Sequence, residues 1–371
     1  MSLSSLFKRL LPSTDSGTSV PPMDGVFKPN NRLEEAESVV ALPGVDGLAV
    51  APSGLVCSAG SSLFLIATGA TPLAPRQIAA FAGPISFVAA NAAGQLAVGV
   101  EGGGIHLGDT GGGFNRLDLN DPMPNCTTAA TFGAEGTLFV CIGSSELPAS
   151  EWKRDLMTHG QSGAVVAVNV RERSTRTVAG GLAFPYGVAI GDDGRLVVSE
   201  SWRHRIVGID PRRAARPDVL LDDLPAYPAR LARASDGGYW LAFFAPRRQL
   251  TEMVLREDDY RKEMIATIEP LDWIGPELSV GGGADQPLQM GSVRQMGVLK
   301  PWAPSRSYGL IAKCDAKMKP TATLHSRADG MRHGTTSVVE QGANLFVTSR
   351  GVGALLRADA KGFANSGAGS V

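Results

Sequence analysis

From about Gly44 to Arg357 the chain repeats one pattern: a few alternating apolar residues, a turn with Gly, Asp or Ser, then a more apolar run. Alternation of this kind marks a strand with one buried face. Leu48 and Val50 show it in the first unit, Val188 and Ile190 in the fourth. Aligned on the turn, six units emerge. They are GVDGLAVAPSGLVCSAGSSLFLI from Gly44, PISFVAANAAGQLAVGVEGGGIHL from Pro84 and CTTAATFGAEGTLFVCIG from Cys126. FPYGVAIGDDGRLVVSESWRHRIVGID follows from Phe184, YPARLARASDGGYWLAFFAP from Tyr227 and HGTTSVVEQGANLFVTSRGVGALLR from His333. Gly54, Gly94, Gly136, Gly194 and Gly237 mark the turn; the last unit carries Gly342 and Ala343 there, one residue out of step. Six units of roughly 40 residues, each a small antiparallel sheet, predict an all-β, six-bladed β-propeller. A β-sandwich has no reason to repeat its turn at this period.

Two stretches break the repeat. SSELPASEWKRDLMTHGQSGAVVAV stands between the third and fourth units, and a longer insertion runs from about 247 to 306, between the fifth and sixth. In the second, Leu250, Met253, Val254, Tyr260, Met264, Ile265 and Ile268 fall on one helical stripe. The insertion is therefore partly helical, and reads as a lid over the channel, a subunit contact giving a homodimer, or decoration. Residues 1–40 read as a tail and lead-in segment, and 41–371 as one propeller domain.

Composition narrows the function. Apolar residues are 43% of 371, enough for one sizeable core, while 45 Gly and 24 Pro fit many short elements and tight turns. The 35 basic and 36 acidic residues nearly cancel, so nothing favours nucleic acid or an anionic membrane as partner. Cys57, Cys126, Cys141 and Cys314 are far apart with no CxxC pair, which reads as buried thiols rather than a zinc cluster or disulfide frame. No apolar run is long enough to span a bilayer. MSLSSLFKRLLPSTDSG makes a poor signal peptide, because Lys8 and Arg9 interrupt its short apolar patch. A cytoplasmic location is the default.

MDGVFKPNNRLEEAE, GLAFPYGVAIGDDGRLVVSESWRHRIV, LPAYPARLARASDGGYWLAF and TSVVEQGANLFVTSRGVGALLR resemble the strictosidine-synthase-like family. That family belongs with the gluconolactonase, regucalcin and paraoxonase-type six-bladed propellers, and the resemblance runs from about Met23 to Arg357. It implies the propeller fold and a site at the channel mouth. In metal-dependent relatives the ligands stand at the start of each inner strand, eight residues before the turn glycine. Counting back gives Asp46, Ser86, Thr128, Tyr186 and Ala229 here, and Gly334 or Thr335 in the last unit. Calcium takes six to eight oxygens including carboxylates, which this set does not supply, so neither a metal nor another cofactor is expected. The glutamate that does acid–base work in the plant synthase matches about Thr336, a residue with no useful pKa for that task. Glu340 comes later in the strand.

The remaining candidates lie in LHSRADGMRHGTTS, residues 324–337, just ahead of the last inner strand. His333 is read as a general base near the mouth, with His325 on the connection leading there and Asp329 orienting an imidazole. Arg327 or Arg332 would bind an anion, with Tyr186 opposite as a hydrogen-bond donor. Asp46, Asn125 and Thr128 face the same mouth, and Trp302, like Trp273, would line a pocket from the insertion. The bland alternative is a closing loop in which these charges satisfy one another. Glu200, Trp202, Arg203, His204 and Arg205 read as a structural blade turn, His106 and His159 receive no role, and the glycine-rich 101–113 reads as hairpin turns. The function expected is an enzyme acting on a small molecule: a metal-independent hydrolase of a lactone, ester or related cyclic compound. A lyase or condensing enzyme on the same site, or a non-catalytic ligand- or protein-binding propeller, are the alternatives.

Overall fold

The computed structural model describes residues 20–69, 72–213, 216–279, 294–295, 298–299, 306–328 and 330–360. Six four-stranded antiparallel sheets form the blades of a propeller ring, their inner strands being Val45–Ala51, Ile85–Ala90, Cys126–Phe132, Pro185–Ile190, Ala226–Arg233 and Thr335–Gln341. The glycines assigned to the repeated turn all take positive φ, from 63° at Gly342 to 138° at Gly54, a conformation open to glycine at no steric penalty.

Closure of the ring involves both ends of the repeat. Glu37–Ala41 pairs with Ala354–Asp359 as the outermost strand of the sixth blade. The boundary drawn between residues 40 and 41 thus falls inside a strand, and Leu33, just before it, is fully buried. Neighbouring blades pack through apolar faces. Leu55 and Cys57 of the first blade meet Val339 and Phe346 of the sixth, and Val56 and Leu63 meet Val88 and Leu96 of the second. Cys57, Cys126, Cys141 and Cys314 are buried free thiols.

Both insertions leave from within a blade, between its second and third strands. The first connects Thr137–Ser144 to Gly163–Asn169 in the third blade and carries the short helix Trp152–Met157. The second connects Tyr239–Pro246 to Leu310–Cys314, so it lies inside the fifth blade rather than after it; Pro320–His325 is that blade's outer strand. A sheet of two strands leaves its apolar surface half covered, which is why the chain returns to finish the blade after the insertion. Helices Gln249–Arg256 and Asp258–Thr267 occupy the predicted helical stretch, but the break at Glu257 splits the expected stripe: Val254 and Met264 are buried, whereas Met253, Tyr260 and Ile268 are exposed. The two insertions are joined: Lys153 pairs with Glu277, which also accepts a 2.7 Å bond from Arg306, and the Arg154 guanidinium lies over the Trp273 ring. No helix among the described residues is long and apolar enough to cross a membrane.

Candidate functional site

The inner strand of each blade is bulged near its start. Register shifts fall between Val45 and Leu48, Ile85 and Phe87, Thr127 and Ala129, Pro185 and Gly187, Pro228 and Leu231, and Thr335 and Val338. A bulge places an extra residue on one strand and re-aims its side chain. Six such devices at one level of the ring turn Asp46, Ser86, Thr128, Tyr186, Arg230 and Ser337 toward one another, one residue from each blade.

Arg230 is the hub. Its Nη2 donates to Asp46 Oδ2 at 2.9 Å and to the Ser86 carbonyl at 2.7 Å, its Nε to the Thr128 carbonyl at 3.0 Å, and its Nη1 to Ser337 Oγ at 3.3 Å. The guanidinium carbon lies 5.0 Å from the centre of the Tyr186 ring. One side chain thereby touches the other five blades. Four of the five N–H donors of a guanidinium are committed to these oxygens, and the fifth, on Nη1, faces the Tyr186 side chain, which also hydrogen-bonds the guanidinium. Asp46 is equally constrained: burial pushes its carboxyl up, but Arg230 and Arg350 outweigh burial and hold it down at about 2. Burial drives Tyr186 the other way, up to about 12.

Above this floor opens a cavity of about 310 Å³. Asp46, Ser86, Thr128 and Tyr186, reached by the count of eight, all line it; Ala229 does not. In the fifth blade the bulge spans two residues, and Arg230 rather than Ala229 is aimed inward. Trp152, Phe184, Trp202 and Phe244 form an aromatic wall, with Phe184 and Trp202 stacked 4.4 Å apart. The Trp202 indole donates to Asp155 Oδ1 at 2.7 Å, which fixes the ring; burial pushes the Asp155 carboxyl up. At the rim Glu101 accepts bonds from the Ser150 backbone and hydroxyl, Leu278 leans in from the second insertion, and Arg350 reaches Asp46 Oδ1 at 3.5 Å.

The histidine-rich stretch lies elsewhere. His333 is fully buried and outside the cavity wall, its Nε2 donating to the Arg327 carbonyl at 2.7 Å and its Nδ1 accepting from Ser307 at 2.8 Å. His325, also fully buried, sits between Tyr308 at 3.2 Å and Thr323 at 3.1 Å, and burial lowers its pKa to about 4. Neither imidazole lines the cavity: His333 turns to the connection between the fifth and sixth blades, and His325, the last residue of the fifth blade's outer strand, to Tyr308 and Thr323 of its own blade. Arg332 binds the Ala36 carbonyl, and Arg327 and Asn125 are exposed away from the cavity wall. Thr128 lines the cavity, but its hydroxyl is spent on the Pro185 carbonyl at 2.6 Å. Thr336 is buried, with Oγ1 on the Asp46 carbonyl at 3.2 Å. Trp273 is buried against the insertion and binds the Ile268 carbonyl. Asp329 and Trp302 lie outside the described residues.

Arg230, Trp152, Trp202, Phe244 and Glu101 escaped the sequence reading. For Arg230 a signal existed: PARLAR places an arginine in the apolar start of an inner strand, beside a counted ring position. The turn that carries Trp202 is tied down by ion pairs, and the same turn also lends Trp202 to the cavity wall. The fully buried Glu200 pairs with Arg203 and Arg205 at 2.5 Å each.

Comparison with known proteins agrees with this architecture. A family model described as NHL repeat matches residues 182–209, the fourth blade. A curated relative, adipocyte plasma membrane-associated protein from Danio rerio, is 27% identical over 107 residues, or 27% of this chain. The matched segment spans about a quarter of that relative's length. Among solved structures, a gluconolactonase from Xanthomonas campestris superposes with a TM-score of 0.57 at 12% identity, over 88% of this chain and 91% of that one. A calcium-binding regucalcin from Agrobacterium tumefaciens gives 0.55 at 12%, over 87% and 92%. A luciferin-regenerating enzyme gives 0.56 at 13%, over 88% and 95%. By fold, this chain is a six-bladed β-propeller of the gluconolactonase and regucalcin kind.

Proposed function

We propose that the central cavity is the active site of a metal-independent hydrolase of a lactone, ester or related cyclic compound. The observation that carries this reading is the Arg230 guanidinium held among oxygens from several blades. A divalent cation does not fit that cradle. The ring offers one carboxylate, Asp46, whose Oδ2 already accepts from Arg230, and a second positive charge there would meet the guanidinium directly. Among the described residues no group of three or more His, Cys, Asp or Glu is placed to hold a metal ion.

Arg230 supplies instead a fixed positive charge on a buried side chain, and burial strengthens a donor aimed at a developing oxyanion. In the proposed step the substrate carbonyl oxygen takes the place of the Tyr186 hydroxyl at Nη1, with Arg350 beside it. Water attacks the carbonyl carbon, a C–O bond forms, and the ring or ester C–O bond breaks. Asp46 stays ionised and orients the water, but a carboxyl held at about 2 is a weak base. Glu101, the other carboxylate on the cavity wall, takes the proton and returns it to the leaving alkoxide. The aromatic wall holds an apolar substrate body. The names of the solved relatives, gluconolactonase and luciferin-regenerating enzyme, support small-molecule chemistry in such a channel.

The close pairing of Arg230 with Asp46 also suits a binding propeller that turns nothing over. One experiment separates the two: hydrolysis of a lactone and ester panel by wild type, Arg230→Lys and Glu101→Gln, each with and without chelator. Chelator-resistant turnover that drops about a hundredfold or more in both variants is the expected outcome. Turnover abolished by chelator, or unaffected by both substitutions, defeats the proposed chemistry. Absence of turnover on every panel member, with ligand binding retained, assigns the cavity to binding.

A further inference from the structure

A second cavity, of about 680 Å³, lies beside the first and shares Trp202 with it. It is walled by the blade turn 202–205, the end of the first insertion and the first helix of the second. His204 and Glu252 stand at its inner end. His204 Nε2 is buried without a hydrogen-bond partner, 3.7 Å from Glu252 Oε1. The hydroxyl of the fully buried Tyr227 is also unpartnered, and the Tyr227 ring centre is 4.7 Å from that of His204. Two neighbouring orphaned polar atoms call for a partner, since each unmade buried hydrogen bond costs about 1–3 kcal/mol. His204 is moreover held in the left-handed region at φ 48° by its own N–H on the Ser201 carbonyl and by the Leu224 N–H on its carbonyl. Such strain persists only where the surroundings enforce it, and it clusters at ligand sites.

The charges define the guest. Arg203, Arg205, Arg247 and Arg256 line the cavity with Asp222, Asp223 and Glu252, and Glu200 lies directly behind Arg203 and Arg205. Four guanidinium groups balance four carboxylates, so neither an anion nor a cation is favoured. Burial, and then Arg247, push His204 well below its ordinary range, which leaves a neutral imidazole. With Glu252 on its Nε2 side, that nitrogen carries the proton. The 3.7 Å gap holds no atom in line, so a guest group sits beside the pair, where it must accept from Nε2–H and donate to the carboxylate. A hydroxyl does both; a carboxylate or phosphate would face Glu252, and an ammonium would face Arg247. We infer that this chamber is a second small-molecule site for a neutral, hydroxyl-rich ligand, one hydroxyl of which bridges His204 and Glu252. The inference stands independently of the reading of the central cavity.

Trp202 gives the readout. Titration of the full chain with myo-inositol and D-glucose as neutral probes, and gluconate and inorganic phosphate as anionic ones, is followed by tryptophan fluorescence and saturation-transfer NMR. Saturable binding of a neutral probe in the millimolar range is expected, about tenfold tighter than either anion. Glu252→Gln, and His204→Asn, whose new side chain tolerates the left-handed backbone, should each weaken it about tenfold while thermal unfolding confirms the fold. Arg350→Ala, altering only the central cavity, should leave it unchanged. Three results overturn the inference: equal or tighter binding of phosphate or gluconate, polyol binding lost in Arg350→Ala but kept in Glu252→Gln, or no saturable binding of either neutral probe.

Discussion

Replacing Arg230 with methionine tests the hub directly. Methionine keeps much of the side-chain volume but removes every donor, so Asp46 stays buried with only Arg350 near it, at 3.5 Å. Removing one partner of a buried ion pair costs about 3–5 kcal/mol. Part of this follows from the titration of Asp46, whose carboxyl moves from an ordinary 3.8 to about 2. That depression alone is worth about 2 kcal/mol, fully present above pH 4 and lost as pH falls from about 4 toward 2. The stranded Ser86 and Thr128 carbonyls account for the remainder. At an unfolding entropy near 2.1 cal/mol/K per residue, about 4 kcal/mol lowers the midpoint of a chain this long by about 5 °C. In the variant burial acts on Asp46 with less opposition, so its carboxyl rises. Acidification from pH 7 to pH 4 should therefore narrow the gap between variant and wild type. The assay is urea and thermal unfolding of wild type, Arg230→Met, Asp46→Asn and the double variant. Because the double variant leaves no buried charge unpaired, the cycle should return a coupling of about 2–3 kcal/mol. A single variant within about 1 kcal/mol of wild type, or strictly additive substitutions, would refute the hub.

Three further outcomes follow from the same geometry. His333→Ala should lower stability by about 2–4 kcal/mol, through a lost pair of hydrogen bonds and a new cavity, while kcat per folded molecule stays near wild type; a selective loss of kcat would return His333 to the chemistry. His325 has a pKa depressed to about 4, so the unfolded chain takes up a proton below pH 6.5 that the folded chain refuses. About 3 kcal/mol should therefore be lost as pH falls from 6.5 to 4, and His325→Gln should flatten that part of the pH–stability curve. Gly334→Ala puts a side chain at φ 63° against the Leu278 carbonyl; a loss of at least about 2 kcal/mol in urea unfolding, with altered ligand affinity at the rim, is expected.

Strand alternation and turn glycines are local properties, and Gly54, Gly94, Gly136, Gly194, Gly237 and Gly342 sit in the turns they implied. Counting back from those glycines reached the cavity in four blades because a strand advances by a fixed step. It missed Arg230 because, of the two bulged residues, the first points inward in the first blade (Asp46) but the second does in the fifth (Arg230) and sixth (Ser337), a choice that leaves no periodic trace. The histidine cluster looked chemical because it was dense in sequence. Its density reflects the end of the fifth blade's outer strand and the connection after it, whose imidazoles bond the Arg327 carbonyl, Tyr308 and Thr323 away from the channel.

By itself the sequence determined the blade number, the all-β class, the turn positions and the near-zero net charge, since each follows from local patterns, their repetition or composition. The tertiary structure decided the rest. It brought Arg230 within reach of partners 102 to 184 residues away, set Trp152 and Trp202 from separate elements into one wall, and returned the chain after the long insertion to complete the fifth blade. Such contacts depend on the closure of the ring, and a linear pattern of apolar and polar residues holds no record of which blades will face one another across the axis.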